Sequence, residues 1–472
     1  MAHITESAPR TPPPPPPPRR ASAGTTTFDP APGTRDFFPD DLLRRRHLTE
    51  AWRRASIIHG FDEIDGPAFE HLGLYEARSG PEITNRLFTF KRSGGIHQFA
   101  LRPEFTPTVA RMYAERHASL ATPVRWFSVQ NCFRAERPGT GRLREIWQWN
   151  VDVLGDSSPA ADADVIAVAV AALKALGLGP ADVRVKVSNR EVVSRLLSGA
   201  GVQADRMIEV FETLDLRGKV SRAHLVRSAS ALGFDLNAFD NVATQVARAL
   251  SARRYDALLR DAGAGELGAL GGPEAADLYQ LADLARALDA HGLLEWCDFD
   301  LSVVCGIAYY TGAVFQFRDA GPTGRLIAAG GRYDTLVEAL GGPATPAVGL
   351  GMADDQVLAV LCERGRVPSD EALREALGAR VDVLVTHDQT DAAAKRATSV
   401  LSQLREAGLH ARARRAGAPS ATDSNARCTL HIDSADTATI TRPGQPPSPP
   451  VPAGEVWIAA RAAIDRRQPN IP

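Results

Sequence analysis

Val124-Arg125-Trp126-Phe127-Ser128-Val129-Gln130-Asn131-Cys132-Phe133-Arg134 runs into Ala135-Glu136-Arg137-Pro138-Gly139-Thr140-Gly141-Arg142. The chain then returns through Trp147-Gln148-Trp149-Asn150-Val151-Asp152-Val153-Leu154. The incoming part is rich in aromatic and β-branched residues, and the middle combines turn residues with repeated arginines. Together they predict a β-hairpin with a long basic tip. On the return strand the period is two, so Trp147, Trp149, Val151 and Val153 share one face and Gln148, Asn150 and Asp152 the other. A polar row between such apolar neighbours either lines a cavity or faces water, and the pattern by itself leaves both open.

Working outward, Asp41 to Ile58 places Leu43, Leu48, Ala51, Trp52, Ala55 and Ile58 at helical spacing, with arginines on the other face. Gly60 ends this helix, Phe61 to Ile64 reads as a short strand, and Pro67 closes it. After the hairpin, Val165 to Leu176 reads as a helix stopped by Gly177, and Val183 to Val187 as a strand. Residues 191–294 are rich in alanine and leucine and read as a helical insertion. Strand character returns at Phe299 to Val304 and at Tyr309 to Phe317. The glycine-rich Ala328 to Asp334 leads into a helix, and Ala347 to Met352 starts the last core strand. A polar linker spans 363–379. Residues 380–472 begin as β-α-β, with Val381 to Val385, a helix over Asp391 to Glu406, and His410 to Ala413. They then thin into Gly, Pro and Ser, and Pro443 to Pro452 has little structural pattern. Asn425 to Ile432 is expected to supply one more strand.

The chain has 472 residues, 44% of them hydrophobic and 23% charged, with a formal net charge of −2. This balance suits a globular protein of two or three domains and excludes a generally basic protein that coats nucleic acid. The five cysteines are odd in number and none is spaced as CxxC, so free thiols in a reducing cytoplasm are expected and no metal site. No apolar run is long enough for a membrane span. Residues 1–33, with an unbroken Pro12 to Pro18, read as a disordered polyproline-like tail and lack the apolar stretch of a secretory signal.

Three clusters carry chemistry. Arg134, Arg137, Arg142 and Arg144 flank the hairpin tip, and guanidinium forks suit phosphate oxygens. Arg134, at the strand end, is the one that rigid backbone would hold. In Leu101-Arg102-Pro103-Glu104-Phe105-Thr106-Pro107, Glu104 and Thr106 fall on one side of an extended chain, where a carboxylate suits a substrate ammonium. The same letters also fit the start of a capped helix. In Cys305-Gly306-Ile307-Ala308-Tyr309-Tyr310-Thr311-Gly312, paired tyrosines beside glycines offer hydroxyls and close backbone approach. Cys305 has no adjoining His and Asn, which argues against a nucleophilic thiol.

In combination and in order, these segments resemble the histidyl-tRNA synthetase family. Gly33-Thr34-Arg35-Asp36 resembles its N-terminal signature, and the long helix, strand and Pro67 resemble the first class II motif. Phe133 to Arg137 with Gln148 to Asp152 resemble the second motif and its return strand. Leu101 to Thr106 is similar to the LRPE-x-T segment, Gly306 to Phe315 to the RGLxYYTGxVFE element, and Gly330 to Asp334 to the GGRYD element. The resemblance covers about residues 33 to 360. It implies an α+β fold: a class II antiparallel sheet of six or more strands flanked by helices, formed by 34–190 and 295–362. The helical insertion and a reduced α/β anticodon-binding-like C-terminal domain complete the chain. It further implies a cytoplasmic homodimer that activates L-histidine with ATP and Mg²⁺ and passes the histidyl group to tRNA(His). By position, Arg134 would hold the α-phosphate, with Glu136 and Arg142 near ATP. Glu104, Thr106, Gln148, Asp152, Tyr309 and Tyr310 would line the histidine pocket.

The chain departs from the pattern in four places. Cys305 stands where the family's arginine opens the RGLxYY element, and Gln356 where the third motif carries one. Removing one such donor typically costs about 10²–10³ in rate. Asp152 is a shortened glutamate. The C-terminal domain loses a lysine-rich helix. Three readings stand: a working ligase, a non-catalytic histidine-binding paralogue such as a regulatory subunit of ATP phosphoribosyltransferase, and a structural dimer without ligand.

Overall fold

The computed structural model describes residues 29–79, 87–137, 143–262, 270, 276–304, 309–415, 426–433, 437–452, 456, 458, 460 and 464. Its centre is an eight-stranded sheet in the order Asp62–Glu63, Val124–Phe133, Glu145–Leu154, Ala347–Ala353, Leu326–Arg332, Ala313–Asp319, Val183–Asn189, Cys297–Phe299. All pairings are antiparallel except the two outermost, Asp62–Glu63 on Val124–Phe133 and Val183–Asn189 on Cys297–Phe299. The hairpin pairs in unbroken register from Val124 with Leu154 to Phe133 with Glu145.

The apolar face of the return strand explains the first layer. The helix Pro39–Ile58 starts with proline in its first turn, where no amide partner is needed, beside Asp40 and Asp41, whose charges suit a helix N-terminus. It buries Leu48, Trp52 and Ala55 in one core with Trp149, Val151 and Val153. Trp52 stacks on Trp149 with ring centroids 5.7 Å apart, and Trp149 Nε1 donates to Ser56 Oγ at 3.0 Å. The helix Pro159–Ala175 fills the rest of this layer. On the opposite face Thr106–Arg116 packs through Val109, Ala110 and Tyr113 in a second cluster that includes Tyr309, Tyr310 and Tyr333. The polar row faces this second side.

Gly33 ties the N-terminal segment to the hairpin, because its carbonyl accepts the amides of Arg144 (2.8 Å) and Glu145 (3.3 Å). Arg35 pairs with buried Asp354 at 2.8 Å, and the other oxygen of Asp354 accepts the Trp147 amide at 2.9 Å. Residues between the two parts of the core form the helices Arg190–Gly199, Met207–Asp215, Arg222–Ala231, Leu236–Ser251, Tyr255–Asp261 and Ala276–Ala290. Asn189, Ser221 and Asp235 cap three of these through their side chains.

Several local expectations change. The strand expected over Phe299 to Val304 is Cys297–Phe299. Asp300 Oδ1 accepts both the amide (3.1 Å) and the hydroxyl (2.5 Å) of Ser302, which turns the chain instead. The strand expected from Tyr309 begins at Ala313, and the tyrosines precede it. Within the polar 363–379 stretch, Asp370–Ala376 is helical, capped by Ser369 Oγ and joined to the first helix by Arg44–Asp370 (3.0 Å). The C-terminal unit is fuller than its composition predicts. Val383–His387 is flanked by parallel Ala411–Arg415 and Cys428–Ile432, and Thr437–Thr441 and Val451–Pro452 extend the sheet antiparallel. The last pairing falls within the proline-rich segment expected to lack structure. Among the described residues no helix is long and apolar enough to cross a membrane.

Candidate active site

Gln148, Asn150 and Asp152 are 6, 1 and 1% exposed, so the polar row lines the interior and does not face water. Glycine on the neighbouring strand makes room for it. Gly349 pairs with Asp152 and Gly351 with Asn150 across the Glu145–Leu154 and Ala347–Ala353 ladder. A Cβ on Gly349 would fall 2.1 Å from Asp152 Oδ1, and one on Gly351 would fall 2.4 Å from Gln148 Nε2. The absent side chains are therefore the space that the polar groups occupy.

The result is a small cavity with Glu104, Thr106, Arg134, Gln148, Tyr309 and Tyr310 in its wall, together with Asn150 and Tyr333. Glu104 does not cap the Thr106–Arg116 helix, which has no side-chain cap. Its carboxylate instead accepts the Tyr309 hydroxyl at 2.8 Å. Arg134 donates through Nη2 to Gln148 Oε1 (3.2 Å) and through Nε to the Pro103 carbonyl (3.2 Å). Gln148 Nε2 donates to Asn150 Oδ1 at 3.0 Å. The network spans four separate segments of the chain.

Asp152, expected in the wall, sits behind it. Tyr333 closes the cavity at that point and donates its hydroxyl to Asp152 Oδ1 at 2.7 Å. Asp152 Oδ2 is buried without a hydrogen-bond partner among the described residues. A carboxylate one methylene shorter than glutamate stays at the level of the sheet, and the tyrosine ring covers it. Burial drives the Asp152 carboxyl up to about 7, opposed by the Tyr333 hydrogen bond. Burial likewise raises Glu104, opposed by the Tyr309 hydroxyl and the Arg134 charge.

A wider cleft adjoins the cavity and shares Arg134, Gln148, Ala329 and Gly351 with it. Glu136, Arg325, Asp355 and Gln356 also line this cleft. Glu136, predicted near a nucleotide, is thus separated from the inner cavity and placed beside the outer one. Among the described residues of the predicted cationic set, Arg134 alone borders both. Arg142 and Cys305 lie outside the described residues.

Sequence reasoning missed Tyr333, Asn150 and the two glycines as parts of the site. Asn150 belonged to the polar row, and Tyr333 to a quoted motif, so both had a signal. Nothing local connects Tyr333 with Asp152, 181 positions away. Arg102 takes a structural role, donating to the Asn131 and Gly66 carbonyls at 2.7 and 2.9 Å.

The buried carboxyl has a consequence for stability. Unfolded Asp152 releases its proton near 3.8, whereas the folded group holds it to about 7. Its contribution to stability is therefore highest below the unfolded value and declines as pH rises from about 4 to about 7, then levels. Asp162 is also held near 7 by burial and acts in the same window. Asp152→Asn should reduce the slope of stability against pH between 4 and 7 by up to about 1.4 kcal/mol per pH unit. Urea denaturation at stepped pH checks this, and an unchanged slope would show that the carboxyl is ionised throughout.

Comparison with known proteins gives the family. The family model described as Histidyl-tRNA synthetase matches residues 33–357. A histidine–tRNA ligase of Halobacterium salinarum is 37% identical over 382 residues, covering 81% of this chain and 83% of its own. One from Opitutus terrae is 38% identical over 345 residues, covering 73% and 77%. The chloroplastic/mitochondrial histidine–tRNA ligase of Arabidopsis thaliana is 35% identical over 382 residues, covering 80% and 74%. Among solved structures, histidyl-tRNA synthetase from Nostoc sp. PCC 7120 shares the fold with a TM-score of 0.71 at 18% identity, covering 93% of this chain and 100% of its own. The chain is a histidine–tRNA ligase-type protein of class II fold and belongs to the histidyl-tRNA synthetase family.

Proposed function

We propose that the chain is a working histidine–tRNA ligase, acting as a cytoplasmic homodimer on L-histidine, ATP and tRNA(His). The inner cavity takes histidine and the outer cleft takes ATP. The observation that carries this reading is Arg134, held at the seam between the two by Pro103 and Gln148. There it meets the α-phosphate while the histidine carboxylate approaches from the cavity. Glu104 receives the substrate ammonium, aided by Thr106, and Gln148 orients the carboxylate. Tyr309, Tyr310 and Tyr333 enclose the imidazole, with Asp152 acting through the Tyr333 hydroxyl.

A histidine carboxylate oxygen attacks the α-phosphorus, and the bond to pyrophosphate breaks, giving histidyl-adenylate. The terminal hydroxyl of tRNA then takes the histidyl group and AMP leaves. Positioning and charge neutralisation supply the acceleration. Glu136 and Asp355 in the cleft wall would help to hold a Mg²⁺ brought in with the nucleotide. When bound, the ion neutralises the departing pyrophosphate. Residues 380–472 serve as an anticodon-binding-like unit in this reading, and of the 1–33 segment expected to be a tail, residues 1–28 lie outside the described residues.

A second reading, a histidine-binding paralogue without ligase activity such as a regulatory subunit of ATP phosphoribosyltransferase, is favoured by Cys305 and Gln356 at the two arginine positions. Histidine-dependent ATP–pyrophosphate exchange separates the two. Exchange supports the ligase. No exchange, with a melting temperature raised by saturating histidine, supports the paralogue. Absence of both leaves a structural protein and overturns the assignment of the cavity.

A further inference from the structure

We infer that Arg325 is a nucleotide-binding residue of this chain and holds the polyphosphate tail of ATP in place of the arginine missing at Gln356. The inference rests on the reading of the outer cleft as the ATP site. Arg325 lies immediately before the strand Leu326–Arg332 and lines that cleft together with Gln356, Asp355, Glu136 and Arg134. Ala328 pairs with Met352 in the antiparallel ladder, so the chain running back to Arg325 heads toward the start of the helix Asp354–Glu363, where Gln356 sits. The two positions therefore belong to one wall, although one precedes a strand and the other lies in the first turn of a helix.

The guanidinium is fixed but incompletely used. Its Nη2 donates to Glu363 Oε1 at 2.7 Å. Its Nη1 is buried and has no hydrogen-bond partner among the described residues. A buried charged donor left unmade is costly, so native proteins keep such groups where something else completes them. With one arm anchored on a carboxylate, a small turn of the other from its buried position into the adjoining cleft would bring it to a phosphate oxygen. The charge balance of the cleft points the same way. Glu136 and Asp355 are acidic, Gln356 is neutral, and Arg134 is already committed to the seam with the inner cavity. A triphosphate in this cleft calls for a cation besides Arg134, and Arg325 supplies it.

The test measures binding, so it does not depend on catalysis. Equilibrium affinities of the full chain for Mg·ATP, AMP and L-histidine are compared for the parent protein, Arg325→Met and Arg325→Ala, with thermal unfolding confirming that each variant is folded. The expected result is a 10-fold or greater loss of Mg·ATP affinity in both variants, with AMP and histidine affinities within 2-fold of the parent. In Arg325→Met the double change with Gln356→Arg should recover most of the lost ATP affinity. Unchanged ATP affinity in folded variants overturns the inference, and equal losses for ATP and AMP overturn the assignment to the polyphosphate tail. Failure of the parent to bind Mg·ATP would refute both this inference and the ligase reading. ATP binding that depends on Arg325 without pyrophosphate exchange would uphold the inference and refute only the ligase.

Discussion

Replacing Arg134 with alanine is expected to slow histidine-dependent ATP–pyrophosphate exchange by roughly 10²- to 10³-fold. The side chain leaves the end of the Val124–Phe133 strand, where its own amide donates to the Arg144 carbonyl at 2.8 Å. Backbone pairing and two side-chain hydrogen bonds set the guanidinium before any ligand arrives, and an interaction prepared in this way costs no reorganisation during the reaction. Its charge also opposes the burial that pushes the Glu104 carboxyl upward. Its loss would therefore weaken binding of the substrate ammonium as well as the α-phosphate contact. Lysine should recover only part of the rate, because a single ammonium cannot reproduce the fork that reaches Gln148 and Pro103 together. Exchange kinetics with the melting temperature as control check this. A loss of less than about 5-fold in a folded variant, well short of the usual cost of such a donor, would remove Arg134 from its assigned role.

Gly349→Ala should close the histidine cavity, although the change adds one methyl group. That methyl would meet Asp152 Oδ1 at 2.1 Å and the Val151 carbonyl oxygen at 3.0 Å, and the latter is backbone that cannot step aside cheaply. The Asp152 side chain must then move, and Tyr333, bonded to it at 2.7 Å, moves with it into the space above. Overpacking of this kind usually costs about 1–3 kcal/mol in stability. The functional loss should exceed the loss of stability, because the group displaced is part of the cavity wall. Histidine affinity is expected to fall at least 100-fold, read by calorimetry on protein that remains cooperative in thermal melts. Gly341→Ala is a useful control for stability. That glycine has φ of +86° and open space around it, so its strain is backbone alone. If Gly349→Ala binds histidine normally, the glycine gap is not what shapes the pocket.

Several features were legible before any coordinates. The alternation from Trp147 to Val153 predicts the hairpin, because a strand separates its faces with period two whatever it packs against. The helical spacing from Leu43 to Ile58 predicts the covering helix for a similar reason, and the order of motifs identifies the family. The wet-or-dry fate of the polar row was not legible. It depends on Gly349 and Gly351, nearly two hundred residues downstream, lying in register beside it.

The boundary between the two kinds of knowledge follows the range of the interactions. Short-range periodicity and turn chemistry are written in consecutive residues, so the hairpin, the flanking helices and the candidate residues Glu104, Arg134 and Gln148 could be named from the chain alone. Whether Asp152 would touch a ligand or stand behind Tyr333, and whether Arg325 would join the cleft at all, depended on which strands became neighbours in the sheet. Those pairings bring together groups with no local relation. The cost of leaving a buried charge or donor unsatisfied then selects which of them meet.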